Sequence, residues 1–293
     1  MDSPGFPEFR LDQWTSMRIQ LLWAYRKRLD IPDSPTSQTY HFQTAALVLK
    51  GMAEVDQGKS RRVQAQAGEW LIFKQGKRWQ RFTSDCELLS IGFRFQLPTG
   101  EALYDEGLPL AFPAKSHPQL EKEARQVLRL TEKHIGSGFL LSNQVIDMRD
   151  YLLSQNALRT FLIELAGILH EHGVRPQTMN QEHPQVMRAL EIINTAMTRD
   201  LGKGVSARSI AQEVAVSPNH LDRLMVAETG RTIFQHIDTR RLRTAQDALL
   251  ADQDSIKAIA YALGFSSPAH FNSWFKKRTD TTPLQFRKQG SLA

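Results

Sequence analysis

With 293 residues, 41% of them hydrophobic, the chain is long enough for two cores, since single cores rarely grow much beyond about 250 residues. The net charge of +6 is unevenly spread: residues 183–293 hold 15 Lys and Arg against 10 Asp and Glu, and residues 1–182 hold 22 against 21, so the basic excess sits in the last third, as phosphate binding requires and plain solubility does not. One cysteine, Cys86, excludes an internal disulfide and a cysteine-built zinc site and suits a reducing compartment, and no run of 18 apolar residues offers a membrane span.

The opening MDSPGFPEFRLD is acidic and proline-containing, so it reads as no secretion signal, and a cytoplasmic protein is expected. From about Phe9 to Phe95 short β-rich runs alternate with turns. Strands are predicted over Thr44–Leu49, Arg62–Gln66, Trp70–Phe73 and Leu88–Phe95, punctuated by Gly51, Gly58, Gly68 and Gly76, a spacing that suggests a small β-barrel or jelly roll. A catalytic metal would need clustered His and carboxylate ligands, yet His41 is the only histidine before His117. No metal, no cofactor and no enzymatic barrel is therefore expected. Trp70, Phe73, Trp79, Phe82, Phe93 and Phe95 interleave with Lys74, Lys77, Arg78, Arg81 and Arg94. Most of these aromatics read as core and most of the charges as solvated outer face, with a subset available to line an apolar effector pocket with a few polar anchors.

Two amphipathic helices follow, over Pro118–Ile135 and from about Asn143 to Gly173. The first carries Leu120, Ala124, Val127 and Leu128 on one side, the second Leu158, Phe161, Leu162, Leu165, Ile168 and Leu169. His170 and His172 near the end of the second suit the helix C-terminus better than a metal. GVRPQTMNQEH, from Gly173 to His183, is polar and without period, and reads as a linker that lets the following part swing.

From Ser206 to Arg287 one pattern is written twice. IAQEVAVSPNHLDRLM (Ile210–Met225) is echoed by IAYALGFSSPAHFNSWF (Ile259–Phe275), and an offset of 50 lays Ser217 on Ser267, Pro218 on Pro268, His220 on His270, Leu224 on Trp274 and Met225 on Phe275. A serine before a proline suits the N-cap and first position of a helix. The residues that follow place Leu221, Leu224 and Met225, or Phe271, Trp274 and Phe275, in one apolar stripe. Small Ala211 and Ala260 let a preceding short helix cross closely. Two short helices joined this way form a helix-turn-helix unit, whose second helix enters the major groove of DNA.

The faces opposite the apolar stripes are left to read DNA: Asn219, His220, Asp222 and Arg223 in the first copy, and Ala269, His270, Asn272 and Ser273 in the second. Asn and Arg match adenine and guanine edges, and Ala can meet a thymine methyl. Lys276, Lys277 and Arg278, with Arg240, Arg241 and Arg243 on the connecting segment, are better placed for phosphate.

SIKAIAYALGFSSPAHFNSWFKKRTDTTPLQFRK, from Ser255 to Lys288, resembles the signature of AraC/XylS-type transcription regulators almost element by element, and Ile237, Arg241, Leu242, Ala245, Leu249 and Leu250 resemble that family's connecting helix. Asp280 stands where the family usually has glycine, and Ala215 where its first turn does. Asp tolerates a left-handed backbone, whereas Ala215 is expected to tighten or shift its turn. The resemblance implies an α+β chain: an N-terminal cupin-like β-barrel with a helical dimerisation segment over residues 1–175, a linker over 176–184, and an all-α DNA-binding domain with two helix-turn-helix motifs over 185–290. AGEWLIFKQGKRW (Ala67–Trp79) resembles the barrel's central turn, more weakly. It further implies an activator, controlled by a small-molecule effector, that binds double-stranded DNA as a homodimer and contacts RNA polymerase. Trp79 and Arg81, just after the central turn, and Trp23 and Arg26 nearer the N-terminus are the preferred effector contacts. A rival is a repair enzyme that borrows the DNA-binding domain and transfers an alkyl group to a thiol, for which Cys86 is the sole candidate. A DNA-binding protein of purely architectural role, without sequence preference, is a second.

Overall fold

The computed structural model describes residues 6–29, 35–57, 62–134, 141, 145–177, 183–199, 205–251 and 254–290. After a short helix α1 (Leu11–Ser16) come nine strands: β1 (Arg18–Arg28), β2 (Thr36–Tyr40), β3 (Gln43–Lys50), β4 (Met52–Asp56), β5 (Val63–Gln66), β6 (Glu69–Phe73), β7 (Gly76–Phe82), β8 (Glu87–Gln96) and β9 (Leu110–Pro113). They form two antiparallel sheets, β1-β8-β3-β6-β9 and β2-β7-β4-β5. The expected barrel is not closed into one continuous sheet. Two sheets stack instead, because β3 and β6 are bonded to β8 and β9 on either side while β4 and β7 pair with β5 and β2.

The five-stranded sheet is covered on both faces, which explains its near-continuous apolar runs. Ala46, Val48, Leu71, Phe73 and Leu88 meet Ala53, Val55, Ala65 and Phe82 of the four-stranded sheet. On the other face Ala45, Leu47, Trp70, Ile72, Leu89, Ile91 and Phe93 pack against α2 (Pro118–His134) and α3 (Met148–Glu171), with the Phe161 ring 6.4 Å from Trp70 and 6.2 Å from Phe93. Both predicted helices are present. Their expected ends at Ile135 and Asn143 lie outside the described residues. Pro176 bridges to Tyr104, and Gln177 donates its N–H to the Leu103 carbonyl at 2.7 Å, so the first residues of the expected linker lie along the sheet domain.

The C-terminal part contains α4 (Pro184–Arg199), α5 (Ala207–Glu213), α6 (Pro218–Thr229), α7 (Ile233–Ala251), α8 (Ile256–Ala262), α9 (Pro268–Thr279) and α10 (Pro283–Gly290). All four helices of the two units are serine-capped: the hydroxyls of Ser206, Ser217, Ser255 and Ser267 accept from the N–H groups of Ser209, His220, Ala258 and His270 at 3.1 to 3.3 Å. Pro218 and Pro268 occupy the first helical turn, where a missing N–H costs nothing. Equivalent residues of α5 and α8 lie 49 apart and those of α6 and α9 lie 50 apart, because the second turn carries one more residue. Ala215 does not shift its turn: it takes a left-handed φ of 58°, in the place where Gly264 has 81°. Asp280, at φ 62°, matches Gly230 at 70°. The first unit has its own core, in which Val186, Leu190, Ile193 and Met197 of α4 meet Ile210, Leu221, Met225, Ile233 and Ile237. The second is built around Phe265, Phe271, Phe275 and Phe286, with Leu242, Ala245 and Leu249 of α7.

Candidate nucleic-acid interface and effector cavity

The outward faces of α6 and α9 are open. Asn219, His220 and Arg223 on the first, and Ala269, His270, Asn272 and Ser273 on the second, are all exposed. Apolar partners hold each helix from behind: Leu221 and Met225 are fully buried in one copy, Phe271 and Phe275 in the other. Asp222 departs from this set. Its carboxylate accepts from the Ile233 N–H at 2.8 Å and so caps the start of α7, a task that removes it from base reading.

The basic residues expected at phosphate divide in the same way. Lys276 and Lys277 are exposed at the far end of α9. Arg278 is engaged internally. It grips Asp238 with Nε at 2.6 Å and Nη2 at 2.9 Å and lies 4.8 Å over the Trp274 ring, whose Nε1 donates to the same carboxylate at 2.9 Å. Arg240 hydrogen-bonds Asn194 through Nε, and Arg241 is half-buried near Phe265. Arg243 is 3% exposed and donates Nη2 to the Gly100 carbonyl at 2.6 Å in the sheet domain. These three face inward because α7 serves both cores at once: Ile233 and Ile237 belong to the first, Leu242, Ala245 and Leu249 to the second. Outside the set expected from the sequence, the supporting helices carry two exposed cations, Arg208 of α5 and Lys257 of α8. Each stands two residues after its capping serine, in equivalent positions of the two copies, and that repeat is the signal that marks them.

The second unit, α7 and the residues just before it are docked on the sheet domain. Gln246 donates to the Thr39 carbonyl at 2.7 Å, Arg231 lies 3.2 Å from Glu101, Lys77 pairs with Asp280, and Arg94 pairs with Asp247. Arg94 is 1% exposed and also bonds Gln20 at 2.9 Å. Leu22, Trp23, Tyr40 and Phe42 join the apolar cluster of Leu249, Leu250 and Phe286. Gly100 is required here, since a Cβ on it would fall 1.9 Å from Arg243 Nη1.

Between the sheets lies a cavity of about 30 Å³, walled by Trp23, Tyr25, Tyr40, Phe42 and Phe73, with Arg78, Gln80 and Ser90 among its polar groups. Trp23 is thus the one expected effector contact that reaches it. Gly92 makes room for that indole, because a Cβ there would fall 2.3 Å from the ring. The other three point away. Arg26 pairs with Glu87 at 2.7 Å, Arg81 with Glu54 at 3.1 Å, and Trp79 lies under the Arg62 guanidinium at 4.5 Å. Side chains alternate along β7, so Arg78, Gln80 and Phe82 are buried while Trp79 and Arg81 face outward.

A family model described as a helix-turn-helix domain matches residues 210–289. "Probable transcription factor PqrA" of Proteus vulgaris is 35% identical over 103 residues, which are 35% of this chain and 83% of that protein. The chain belongs to the AraC/XylS family. The HTH-type transcriptional regulator GlxA of Rhizobium meliloti is 37% identical over 119 residues, 41% of this chain and 36% of that one, so the chain spans only about a third of that relative's length. Its architecture is similar to that of ToxT from Vibrio cholerae, with a TM-score of 0.53, 14% identity, and coverage of 92% of this chain and 97% of that one. AdaA of Bacillus subtilis, a bifunctional transcriptional activator and DNA repair enzyme, is 25% identical over 103 residues, which are 35% of this chain and 49% of that protein. Here Cys86 is buried, and burial beside Asp85 pushes its thiol up to about 12. Among the described residues no helix is long and apolar enough to cross a membrane.

Proposed function

We propose that this family member is a sequence-specific DNA-binding transcription regulator, an activator whose DNA-binding half answers to a small molecule held between the N-terminal sheets. The observation that carries this reading is the pair of serine-capped, proline-started helices α6 and α9, each locked from behind and bare in front. Two such helices on one chain can address successive major-groove segments about 34 Å apart, so the site for one subunit is asymmetric. Asn219, His220, Arg223, Ala269, His270, Asn272 and Ser273 are the base-reading set, and Lys276 and Lys277 take phosphate. The docked contacts of Gln246, Arg231, Asp247 and Asp280 with the sheets give an effector a lever, since it can act only by favouring one arrangement of the domains over another. Structures of ToxT with an unsaturated fatty acid and with (E)-4-(8-methylnaphthalen-1-yl)but-3-enoic acid bound are in keeping with a small-molecule input in this fold. Exposed Met148, Tyr151, Leu152 and Ile163 on α3 suit pairing of two subunits. Residues 1–175 then act as sensor, 176–184 as linker and 185–290 as reader, with RNA polymerase as the partner of activation.

Selection of binding sequences from a random DNA pool, followed by affinity measurement across salt concentrations, tests the reading. Asn272→Ala is expected to change the preferred bases. Lys276→Ala is expected to weaken every sequence alike and to flatten the salt dependence by about one ion. Equal losses on specific and random DNA for Asn272→Ala would remove its base-reading role, and absence of any sequence preference in the unmodified protein would favour an architectural one.

A further inference from the structure

Arg78 is a buried cation in the wall of this cavity. It is 5% exposed, lies in the cavity between the sheets, and stacks 3.9 Å over the Tyr40 ring and 4.7 Å from that of Phe73. Neither Nε nor Nη1 has a hydrogen-bond partner, and among the described residues no carboxylate forms an ion pair with it. The polar groups around it are short of partners too. Gln38, directly across the ladder from Arg78, is 2% exposed with both side-chain polar atoms unsatisfied, and the Thr44 hydroxyl in the cavity wall is unsatisfied as well.

A buried cation normally sits beside a buried anion, because removing a charge from water is costly and aromatic faces return only part of that cost. The cavity supplies a cation, hydrogen-bonded to the Tyr40 side chain but with Nε and Nη1 unpartnered, and the Thr44 hydroxyl, beside the rings of Trp23, Tyr25, Tyr40, Phe42 and Phe73, with the Gln38 amide on the neighbouring strand. Among the described residues it lacks the carboxylate that would complete it.

We infer that the cavity binds a small monocarboxylate with an apolar body, its carboxylate on Arg78 and its body among the aromatic rings, and that this ligand is the effector. The inference rests on the effector reading above and supplies its chemistry. A planar guanidinium matches a carboxylate through two parallel hydrogen bonds, which sets the preference over neutral or point-charge ligands. A space of about 30 Å³ is near the size of one or two waters, so the ligand enters by moving Tyr40 off the guanidinium. Tyr40 also faces Phe286 of α10, ring centroids 6.3 Å apart. Its displacement therefore disturbs the docking of the second helix-turn-helix unit.

The test titrates the full chain with benzoate, phenylacetate and butyrate, and with benzamide, phenylacetamide and butyramide as neutral counterparts. Thermal unfolding and tryptophan fluorescence report binding, and affinity for a selected DNA site reports control. At least one of the acids is expected to raise the melting temperature saturably and the amides are not. Arg78→Met is expected to weaken that response about tenfold or more while leaving the ligand-free melting temperature unchanged or higher, since it removes an unpaired buried charge. Arg78→Gln serves as the second variant. Absence of saturable binding by all three acids, or an undiminished response in both variants, overturns the inference. So does a lowered ligand-free melting temperature in both variants with the response to acid intact, which would make Arg78 a structural strut. If a neutral sugar binds and changes DNA affinity while the acids do neither, effector control stands and the anion chemistry falls. If the acids bind through Arg78 but leave DNA affinity unchanged, the cavity chemistry stands and its role as the effector site falls.

Discussion

Ala215 holds a backbone conformation that L-residues avoid, with φ at 58°, because the turn between α5 and α6 must match the one that Gly264 makes in the second copy. Ala215→Gly removes a strain of about 1 to 2 kcal/mol and adds unfolded-chain entropy of somewhat less, so urea denaturation is expected to show a gain of about 0.5 to 1 kcal/mol. A loss would mean that the turn is relaxed as it stands. Asp280→Gly relieves the same kind of strain but also removes the contact with Lys77, so its gain should be smaller. His236 is a second residue with a measurable signature. It is 3% exposed, its Nε2 lies 2.8 Å from the Thr229 hydroxyl, and burial, followed by the nearby Arg231, Arg243 and Arg240, lowers its pKa to about 4. The unfolded chain therefore binds the proton more readily. Its contribution is complete above the unfolded value near 6.5 and declines as the pH falls from there toward 4, by about 2 kcal/mol between pH 7.5 and pH 5. His236→Gln should flatten that part of the stability profile, and an unchanged slope would show that the histidine does not drive it.

Among the elements, β7 and α9 show how one side of a strand or helix is reserved for a purpose. On β7 the alternation leaves Trp79 and Arg81 outside, so Trp79→Ala and Arg81→Ala should leave any response to a small molecule intact, as read by thermal shift. A loss in either variant would require the effector to sit on the outer face. On α9 the exposed side is kept rigid by Asp238, which accepts from Trp274 and from Nε and Nη2 of Arg278. Asp238→Ala strands a half-buried guanidinium. It is expected to cost about 2 kcal/mol of stability and to weaken DNA binding through loosening of α9, without changing which bases are preferred.

For the whole molecule, the contact between the halves is dominated by positive charge. Arg94 and Arg243 are buried there, Arg18 and Arg240 lie close, and Asp247 answers them. Burial, with neighbouring arginines adding to it, lowers Arg18 to about 10 and Arg240 to about 9. Burial of so many cations works against the docked arrangement, which is expected to be readily unseated. Asp247→Ala leaves Arg94 with no carboxylate, so small-angle scattering should show a larger radius of gyration and DNA affinity without effector should rise. Unchanged scattering and affinity would mean that the apolar cluster of Tyr40, Phe42, Leu250 and Phe286 holds the domains by itself.

Local chemistry made the DNA-binding half legible from residues alone. Ser-Pro caps, a one-sided apolar stripe and a duplicated spacing each act within a turn or two of helix, so the outward faces of α6 and α9 followed without knowledge of distant contacts. The same locality located the helices that became α2 and α3 and the strands at 44–49 and 88–95. What lay beyond reach depended on partners far along the chain. Asp222 became a cap because α7 begins beside it, and Arg240 and Arg243 turned inward because α7 is shared by two cores and a docked sheet domain. The cation of the cavity is Arg78 and not Arg81 because a strand's inner side is fixed by the sheet stacked against it. Sequence assigns a residue to one of two alternating faces, and only packing against the opposite layer decides which face is the inside.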